Sequence, residues 1–143
     1  YVAKTDFEGN LLWEKMWGPG GSLIYAMIKD SSENFYLTGY TVGSLDGNKN
    51  AGKPGDCISI NFGPEGSSCP DPFLIKIDNE GNILWSRQFG TDSFNIEAST
   101  RLLLDENENI YVFSQIQHKE SFGRLNITKF DKSGKMKFSR DYT

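Results

Sequence analysis

Residues 42–72 of this 143-residue chain form one long stretch that carries charged, amide and aromatic side chains able to contact a partner. The stretch is rich in Gly, Pro, Asn and Ser, and its apolar residues follow no sustained period. A long loop without secondary structure in a compact domain is usually either functional or disordered. We therefore predict that this loop binds a partner through Asp46, Asn48, Lys49, Asp56, Asn61, Phe62, Glu65 and Asp71.

The chain contains two cysteines, Cys57 and Cys69, and both lie inside this loop. A disulfide between them would close a short loop and stabilise the fold by about 2 kcal/mol in the chain-entropy model. The alternative is a pair of free thiols. Because a loop holding the only cysteines of a chain suggests an oxidising compartment, we predict the disulfide.

Other patterns that could support chemistry are incomplete. His118 has no nearby Cys or Ser in the sequence that would act with it as a nucleophile–base pair. Residues 105–109 resemble the start of a calcium loop, but Ile110 stands where a glycine is required. The aligned residues 30–34 read as a turn. The sequence therefore predicts no catalytic residue, no metal site and no cofactor.

Basic residues stand between aromatic residues, at intervals of two, in three places. A spacing of two puts side chains on one face of a strand, where cation–π stacking and packing of the aliphatic stem explain the pattern. A carbohydrate-binding aromatic shelf is the alternative. The three sets are Trp13, Lys15 and Trp17; Trp85, Arg87 and Phe89; and Phe138, Arg140 and Tyr142.

A lysine also stands two residues before an aspartate in three places, which predicts a structural ion pair at each. The three pairs are Lys4 and Asp6, Lys76 and Asp78, and Lys129 and Asp131.

These patterns recur because the sequence contains an internal repeat. Residues 73–90, FLIKIDNEGNILWSRQFG, match residues 1–18, YVAKTDFEGNLLWEKMWG, at eight of eighteen positions. A more divergent copy occupies residues 126–143. Each copy reads as a strand, a tight turn in which Gly81 or its equivalent adopts positive φ, and a return strand. A repeat of this kind is the strongest indication of fold in a sequence.

A second predicted hairpin lies between successive copies. It joins residues 23–29 and 35–41 through the turn 30–34, and its counterpart is centred on the turn 105–109. The repeating unit is therefore four antiparallel strands. The sequence divides into a half unit (1–18), a unit at 23–90 with the inserted loop 42–72, and a unit at 91–143.

Composition and charge narrow the classes of function. The net charge of −4 is modest and spread along the chain, which argues against a nucleic-acid or anionic-membrane surface. No apolar stretch approaches the roughly 20 residues needed to span a bilayer. The sequence begins within a repeat and without a methionine, so we expect the true N-terminus to be missing.

The repeat pattern is aromatic–x–x–Lys–x–Asp–x–x–Gly–Asn–x–Leu–Trp, ending in Gly, and the inner hairpin carries NFYLTGYT at residues 34–41. Both patterns resemble bacterial β-propeller repeats of the SBBP type. The resemblance covers nearly all of the chain except the inserted loop. The last unit departs from it, since Lys135, Lys137 and Phe138 replace Asn, Leu and Trp, and Ser114 replaces the glycine. Quinoprotein-type propellers, which also place Gly and Trp near the outer strand, are a second resemblance.

The resemblance implies an all-β fold of β-propeller blades, each a four-stranded antiparallel sheet, with about two and a half blades in this chain. Such an incomplete ring leaves blade faces and strand edges exposed, which native proteins avoid. Either the chain is a fragment of a larger propeller, or several chains assemble. The start within a unit favours the fragment.

The resemblance also implies a non-catalytic binding or scaffolding module of an exported or cell-surface protein. Its partner would be a protein or a carbohydrate, contacted through the inserted loop, with no nucleic acid and no membrane span. Two alternatives stay open. The chain is part of a propeller enzyme, polysaccharide-active or quinoprotein-like, whose active site lies elsewhere, or it is a self-assembling structural protein.

Overall fold

The computed structural model describes residues 1–18, 21–49, 51–52, 69–91, 96–117 and 123–142. These residues form ten β-strands and no helix, so the fold is all-β, as the repeat predicts. The strands are β1 (Val2–Thr5), β2 (Leu11–Lys15), β3 (Ser22–Lys29), β4 (Phe35–Thr41), β5 (Asp71–Ile77), β6 (Ile83–Gln88), β7 (Ile96–Leu104), β8 (Ile110–Gln117), β9 (Arg124–Phe130) and β10 (Met136–Tyr142).

The strands form three antiparallel sheets, which we name in chain order. The first hairpin is β1–β2, the middle sheet is β3–β4–β5–β6, and the last sheet is β7–β8–β9–β10. Because the strands of each sheet follow sequence order, the β3–β4 and β5–β6 turns lie at one end, and the β4–β5 connection lies at the other. Within the described ranges, the three sheets do not close into a ring.

Five tight turns share one hydrogen-bond pattern. The amide of the leading Asp donates to the carbonyl of the fifth residue, and the fourth residue donates back to the Asp carbonyl. The Asp carboxylate accepts the amide of the fifth residue. The fourth residue has positive φ and is Gly9, Glu33, Gly81, Glu108 or Gly134. Sequence spacing predicted these turns, because Asp and Asn bond their own backbone and glycine tolerates positive φ.

Irregularities of the strands repeat as faithfully as the turns. The β1–β2 register shifts between Lys4 and Thr5, and the β5–β6 register shifts between the equivalent Lys76 and Ile77. The shift in β3 after Ile24 likewise recurs in β7 after the equivalent Ser99. Bulges are specific structural features. Their recurrence at equivalent positions shows that the repeat in the amino-acid sequence is also a repeat in the structure.

Apolar side chains hold the three sheets together through two clusters. In the first, Val2, Trp13 and Trp17 of the leading unit pack against buried Leu37, Leu45, Phe73, Ile75 and Ile77 of the middle unit. In the second, the opposite face of the middle sheet, with Tyr36, Leu74 and Trp85, packs against Leu102, Ile110, Val112 and Phe130 of the last sheet. The central strands β4 and β5 of the middle sheet are therefore buried on both faces, whereas the edge strand β3 alternates between half-buried and exposed side chains.

A tryptophan of each outer hairpin contacts the turn of the following one. The Trp13 ring lies against Gly81, and its Nε1–H donates to the Asn79 carbonyl at 3.1 Å. The Trp85 ring lies against Gly134, and Arg87 Nε donates to the Gly134 carbonyl at 2.7 Å. Successive units are thus joined by the same contact, which gives both the repeated Trp and the repeated turn Gly a packing role.

Two of the three lysines predicted to form ion pairs do so with a different aspartate, and the third, Lys4, donates to an asparagine instead. Lys76 Nζ is 2.8 Å from Asp30 Oδ2 and not paired with Asp78, whose carboxylate accepts hydrogen bonds from its own turn. Lys129 pairs with Asp105 at 3.6 Å, whereas Asp131 pairs with Lys137 at 2.8 Å. Lys4 donates to Asn79. The prediction was wrong because it considered neighbours along one strand, and the closer carboxylate lies across the sheet.

Candidate functional site

The described ends of the predicted binding loop are held at the edge of the middle sheet. Thr41 precedes the loop, and Asp71, which the sequence placed inside it, is the first residue of β5. These two residues are register partners at the last position of the β4–β5 ladder. The loop therefore leaves and re-enters the sheet at adjacent residues, so a much shorter connection could join β4 to β5. In the last sheet, β8 and β9 are joined by the much shorter stretch 118–123.

Asp46 and Asn48 attach the start of the loop to β6. The Ser86 hydroxyl donates to Asp46 Oδ2 at 2.8 Å, and Asn48 Nδ2 donates to Ser86 Oγ at 2.7 Å. Asp46 has a positive φ of 49°, within a local turn that also includes Gly47. Both side chains therefore hold the loop on the sheet, and their contact with a partner stays a prediction.

Gln88, which the sequence analysis did not single out, completes this attachment. Its Oε1 accepts the Leu45 amide at 3.1 Å, and its Nε2 donates to the Gly43 carbonyl at 3.0 Å. The Leu45 side chain is buried in the cluster beneath, at 1% exposure. Residues 43–48 are thus held in place by hydrogen bonds to Gln88 and Ser86 and by the buried side chain of Leu45.

Asp71 anchors the other end of the loop from a buried position, at 1% exposure. Its carboxylate accepts the Ala51 amide and a 3.4 Å hydrogen bond from Gln88 Nε2. A Cβ on Gly90 would lie 2.2 Å from Asp71 Oδ1. The carboxylate therefore fits here only because residue 90 is a glycine, which has no side chain. Burial raises the pKa of Asp71 and outweighs the hydrogen bonds that lower it.

The structure describes only some of the remaining residues of the predicted binding loop. Lys49 is exposed at the loop surface. Cys69 is fully buried and is not a free thiol. Its pairing with Cys57 stays a prediction, because Cys57 lies outside the described residues. Four further candidates also lie outside them, Asp56, Asn61, Phe62 and Glu65, as does His118.

A second polar feature, which sequence reasoning missed, is a cavity of about 440 Å³ between the middle and last sheets. Pro72, Phe89 and Gly90 line it from the middle unit, and Thr91 lines it from the connection to the last sheet. The last sheet contributes Glu97, Ser114, Ile116, Asn126, Met136, Ser139 and Asp141. The wall that the last sheet forms is therefore mostly polar.

Hydrogen bonds within the last sheet organise this wall. Ser99 and Ser114, both buried, have their hydroxyls 2.9 Å apart. Asn126 Nδ2 donates to Ser139 Oγ at 2.9 Å and to Asp141 Oδ1 at 2.8 Å. The Thr91 hydroxyl donates to Glu97. These polar groups are therefore paired within the protein, and most of the surface that the cavity exposes is apolar.

The repeat alignment contains the signal that would have found this wall. The positions of Phe73 and Ile75, buried and apolar in the middle sheet, are occupied by Asn126 and Thr128 in the last sheet. Polar residues at positions that are core in a neighbouring unit indicate either a solvated face or a polar cavity. Only the packing of the two sheets distinguishes these outcomes.

Two of the three basic–aromatic sets form the stacked contacts predicted for them. Arg87 lies over the Trp85 ring at 5.4 Å and Arg140 over the Phe138 ring at 5.3 Å. The Arg87 guanidinium also donates to the Gly134 and Ser133 carbonyls of the following turn. In this pair the cation therefore joins two units.

The acidic turn 105–109 uses its carboxylate internally. Asp105 Oδ1 accepts the amides of Asn107 at 3.0 Å and Asn109 at 2.8 Å, and Asn109 Nδ2 also donates to it. The side-chain hydrogen bond from Asn109 lowers the pKa of Asp105, helped by the turn amides and Lys129. Among the described residues, no group of three or more His, Cys, Asp or Glu side chains is placed to hold a metal ion.

Comparison with protein-family models gave no match to the chain, and a search of curated proteins also gave none. The resemblance to SBBP-type repeats therefore stays a prediction from the residues themselves. The described part of the chain has no helix with the length and apolarity required to cross a bilayer.

Proposed function

We propose that this chain is a non-catalytic binding or scaffolding module of an exported or cell-surface β-propeller protein, and that the loop 42–72 contacts its partner. Three antiparallel sheets, packed face to face and joined by repeated Trp–Gly contacts, support the assignment of the units as propeller blades. A buried Cys69 that is not a free thiol supports an oxidising compartment.

The observation that carries the binding proposal is the attachment of the loop base. Both described ends of the loop are held by hydrogen bonds at the end of the middle sheet where β4 stops and β5 starts. The side chains that make these bonds include Asp46, Asn48, Gln88 and Asp71. The length of this loop is not needed to join the strands, since the last unit joins the equivalent strands by a short connection. Loops that a rigid scaffold positions are the usual location of binding residues.

The experiment compares the intact chain with a variant in which residues 53–68 are replaced by a Gly-Ser linker of equal length. Cys69→Ser accompanies the replacement, so that no lone thiol remains. The probes are an array of bacterial surface polysaccharides and an array of extracellular proteins. The matched control is Phe7→Ser, which changes a fully exposed side chain in the β1–β2 turn.

We expect the intact chain and the Phe7→Ser control to bind the same probe, and the linker variant to bind it about tenfold more weakly or not at all. Circular dichroism checks that the variants keep the β-sheet fold. Equal binding by the linker variant, or no binding by the intact chain, contradicts the proposal. New reducing ends released from a polysaccharide would favour the enzyme alternative.

A further inference from the structure

The cavity between the middle and last sheets lies where the preceding interface between units is filled by apolar side chains. At that preceding interface, between the first hairpin and the middle sheet, Phe73 and Leu45 are buried in the apolar cluster. Asn126 stands at the position of Phe73 in the last sheet. Because asparagine is much smaller than phenylalanine, the loss of this ring accounts for part of the cavity volume of about 440 Å³.

Four polar residues lie side by side across the last sheet, and three of them line the cavity. They are register partners on consecutive strands, in the order Ser99, Ser114, Asn126 and Asp141. The equivalent row of the middle sheet has the same register and consists of Ile24, Gly39, Phe73 and Gln88. The loss of one aromatic ring does not require the other three changes. The row therefore indicates a polar site and not a packing defect.

The two serines of this row leave one hydroxyl hydrogen without an acceptor. Ser99 and Ser114 are both buried, and their hydroxyl oxygens are 2.9 Å apart. This hydrogen bond uses one of the two O–H groups, and the described part of the chain offers no acceptor to the other. A buried donor without an acceptor is unfavourable. Since Ser114 lines the cavity, its O–H can donate to a ligand there while it accepts from Ser99.

Asp141 supplies an acceptor at the other end of the row. Asn126 Nδ2 donates to Asp141 Oδ1 at 2.8 Å, which holds the carboxylate at the cavity wall. Asp141 Oδ2 accepts no hydrogen bond and forms no ion pair within the described ranges. A carboxylate oxygen has two lone pairs with which it can accept hydrogen bonds. The cavity therefore offers a ligand one hydroxyl donor and one carboxylate acceptor.

The remaining lining residues restrict the charge and the polarity of the ligand. Most of the exposed wall is apolar, and it includes Pro72, Phe89 and Ile116. Glu97 adds a second carboxylate to that of Asp141, whereas none of the described lining residues is a lysine or an arginine. The two carboxylates disfavour an anionic ligand. An alkyl ammonium would suit the carboxylates, but it has no acceptor for the serine hydroxyl.

We propose that this cavity is a binding site for one neutral pyranose ring of a carbohydrate. Ring hydroxyls both donate and accept hydrogen bonds, so they match the Ser114 donor and the Asp141 acceptor together. The C–H groups of the ring pack against Phe89 and Ile116. The volume of about 440 Å³ lies within the roughly 300–1,000 Å³ of small-molecule sites. The site goes beyond the proposed loop contact, because strands of the middle and last sheets supply its binding groups.

The test titrates the full chain with methyl glycosides of glucose, galactose, mannose, fucose and N-acetylglucosamine, and follows backbone amide shifts by NMR. Glucuronic acid and cyclohexylamine represent the anionic and the cationic alternatives. We expect saturable binding of at least one neutral glycoside, with the largest shifts at the lining residues. Asn126→Phe, which restores the ring of the middle sheet, should abolish this binding. Asp141→Ala should weaken it about tenfold or more.

The matched control is Glu106→Ala, which removes an exposed carboxylate from the turn at the opposite end of the last sheet and should leave binding unchanged. Circular dichroism checks each fold, and Asp141→Ala, an exposed position on the edge strand β10, decides the result if Asn126→Phe does not fold.

The absence of saturable binding by any neutral glycoside overturns the proposal. Equal or tighter binding of glucuronic acid or cyclohexylamine also overturns it, as does unchanged affinity in Asp141→Ala. The variant with a linker at residues 53–68 retains every described lining residue and should bind the glycoside as the intact chain does. The cavity proposal and the loop proposal can therefore fail independently.

Discussion

The indole of Trp85 lies against the backbone of Gly134, so closely that a Cβ added to this glycine would be 2.9 Å from the ring. Trp13 has the same relationship with Gly81, at 3.0 Å. Gly9 occupies the equivalent turn position, with nothing within 4 Å of an added Cβ among the described residues. All three glycines have positive φ, between 79° and 89°.

Alanine substitution at these glycines therefore separates backbone strain from crowding. Gly9→Ala should cost about 1 kcal/mol, since positive φ disfavours any residue with a Cβ. Gly81→Ala and Gly134→Ala should cost about 1–3 kcal/mol more, because the new methyl group displaces an indole. Urea unfolding measures all three free energies. Equal losses at the three positions would show that the Trp–Gly contacts do not join the units.

The buried ion pair of the middle sheet should contribute more to stability than its counterpart in the last sheet. Lys76→Met leaves the Asp30 side chain, 1% exposed, without its cation, and should cost about 3 kcal/mol. Lys129→Met removes a longer and more exposed pair and should cost about 1 kcal/mol or less. Chemical denaturation of both variants gives the comparison. A larger loss for Lys129→Met would contradict this assignment.

Local sequence was sufficient for the strands and turns of this protein. The Asp…Gly and Asp…Asn spacings determine where the chain reverses, because the hydrogen bonds that close each turn involve residues at most four apart. The repeat then predicted the four-stranded units without any knowledge of packing. The pairing of Lys76 with Asp30 was missed because it depends on the register between β4 and β5, which local spacing does not contain.

The attachment of the inserted loop shows the same limit. Asp46 and Asn48 have the residue types of a binding site, but Ser86 on β6 uses them as anchors. Asp71 is likewise buried beside Gly90. Sequence reasoning found the loop, but it could not distinguish side chains that face a partner from those that hold the loop in place.

The paired hydroxyls of Ser99 and Ser114 allow a test of the polar wall between the last two sheets. Either serine changed to alanine leaves the other buried hydroxyl without this partner, at a cost of about 1 kcal/mol. The double variant should cost less than the sum of the two, because both polar groups are removed. A double-mutant cycle by thermal unfolding measures the coupling. Strict additivity would show that the two hydroxyls do not depend on each other.

The turn aspartates should make the fold sensitive to acid. Burial on its own raises the pKa of Asp30, but hydrogen bonds from Lys76 and Asn34 outweigh it, so the pKa lies below the ordinary 3.8. Below pH 3.8 the unfolded chain then binds more protons than the folded chain, and stability falls as the pH falls. Denaturation between pH 2 and 5 measures this loss. Hydrogen bonds also lower the pKa of Asp6, Asp78, Asp105 and Asp131.

Asp71 should act in the opposite direction. Burial raises its pKa, so above pH 3.8 the folded chain holds a proton that the unfolded chain has released, and stability falls as the pH rises through this window. Asp71→Asn keeps an oxygen for the Ala51 amide and removes the charge, so it should abolish that decline. The matched variant Asp78→Asn should instead reduce the acid-induced loss below pH 3.8. Urea unfolding between pH 2 and 8 distinguishes the two, and an unchanged slope above pH 3.8 in Asp71→Asn would mean that the buried carboxylate does not set the pH dependence there.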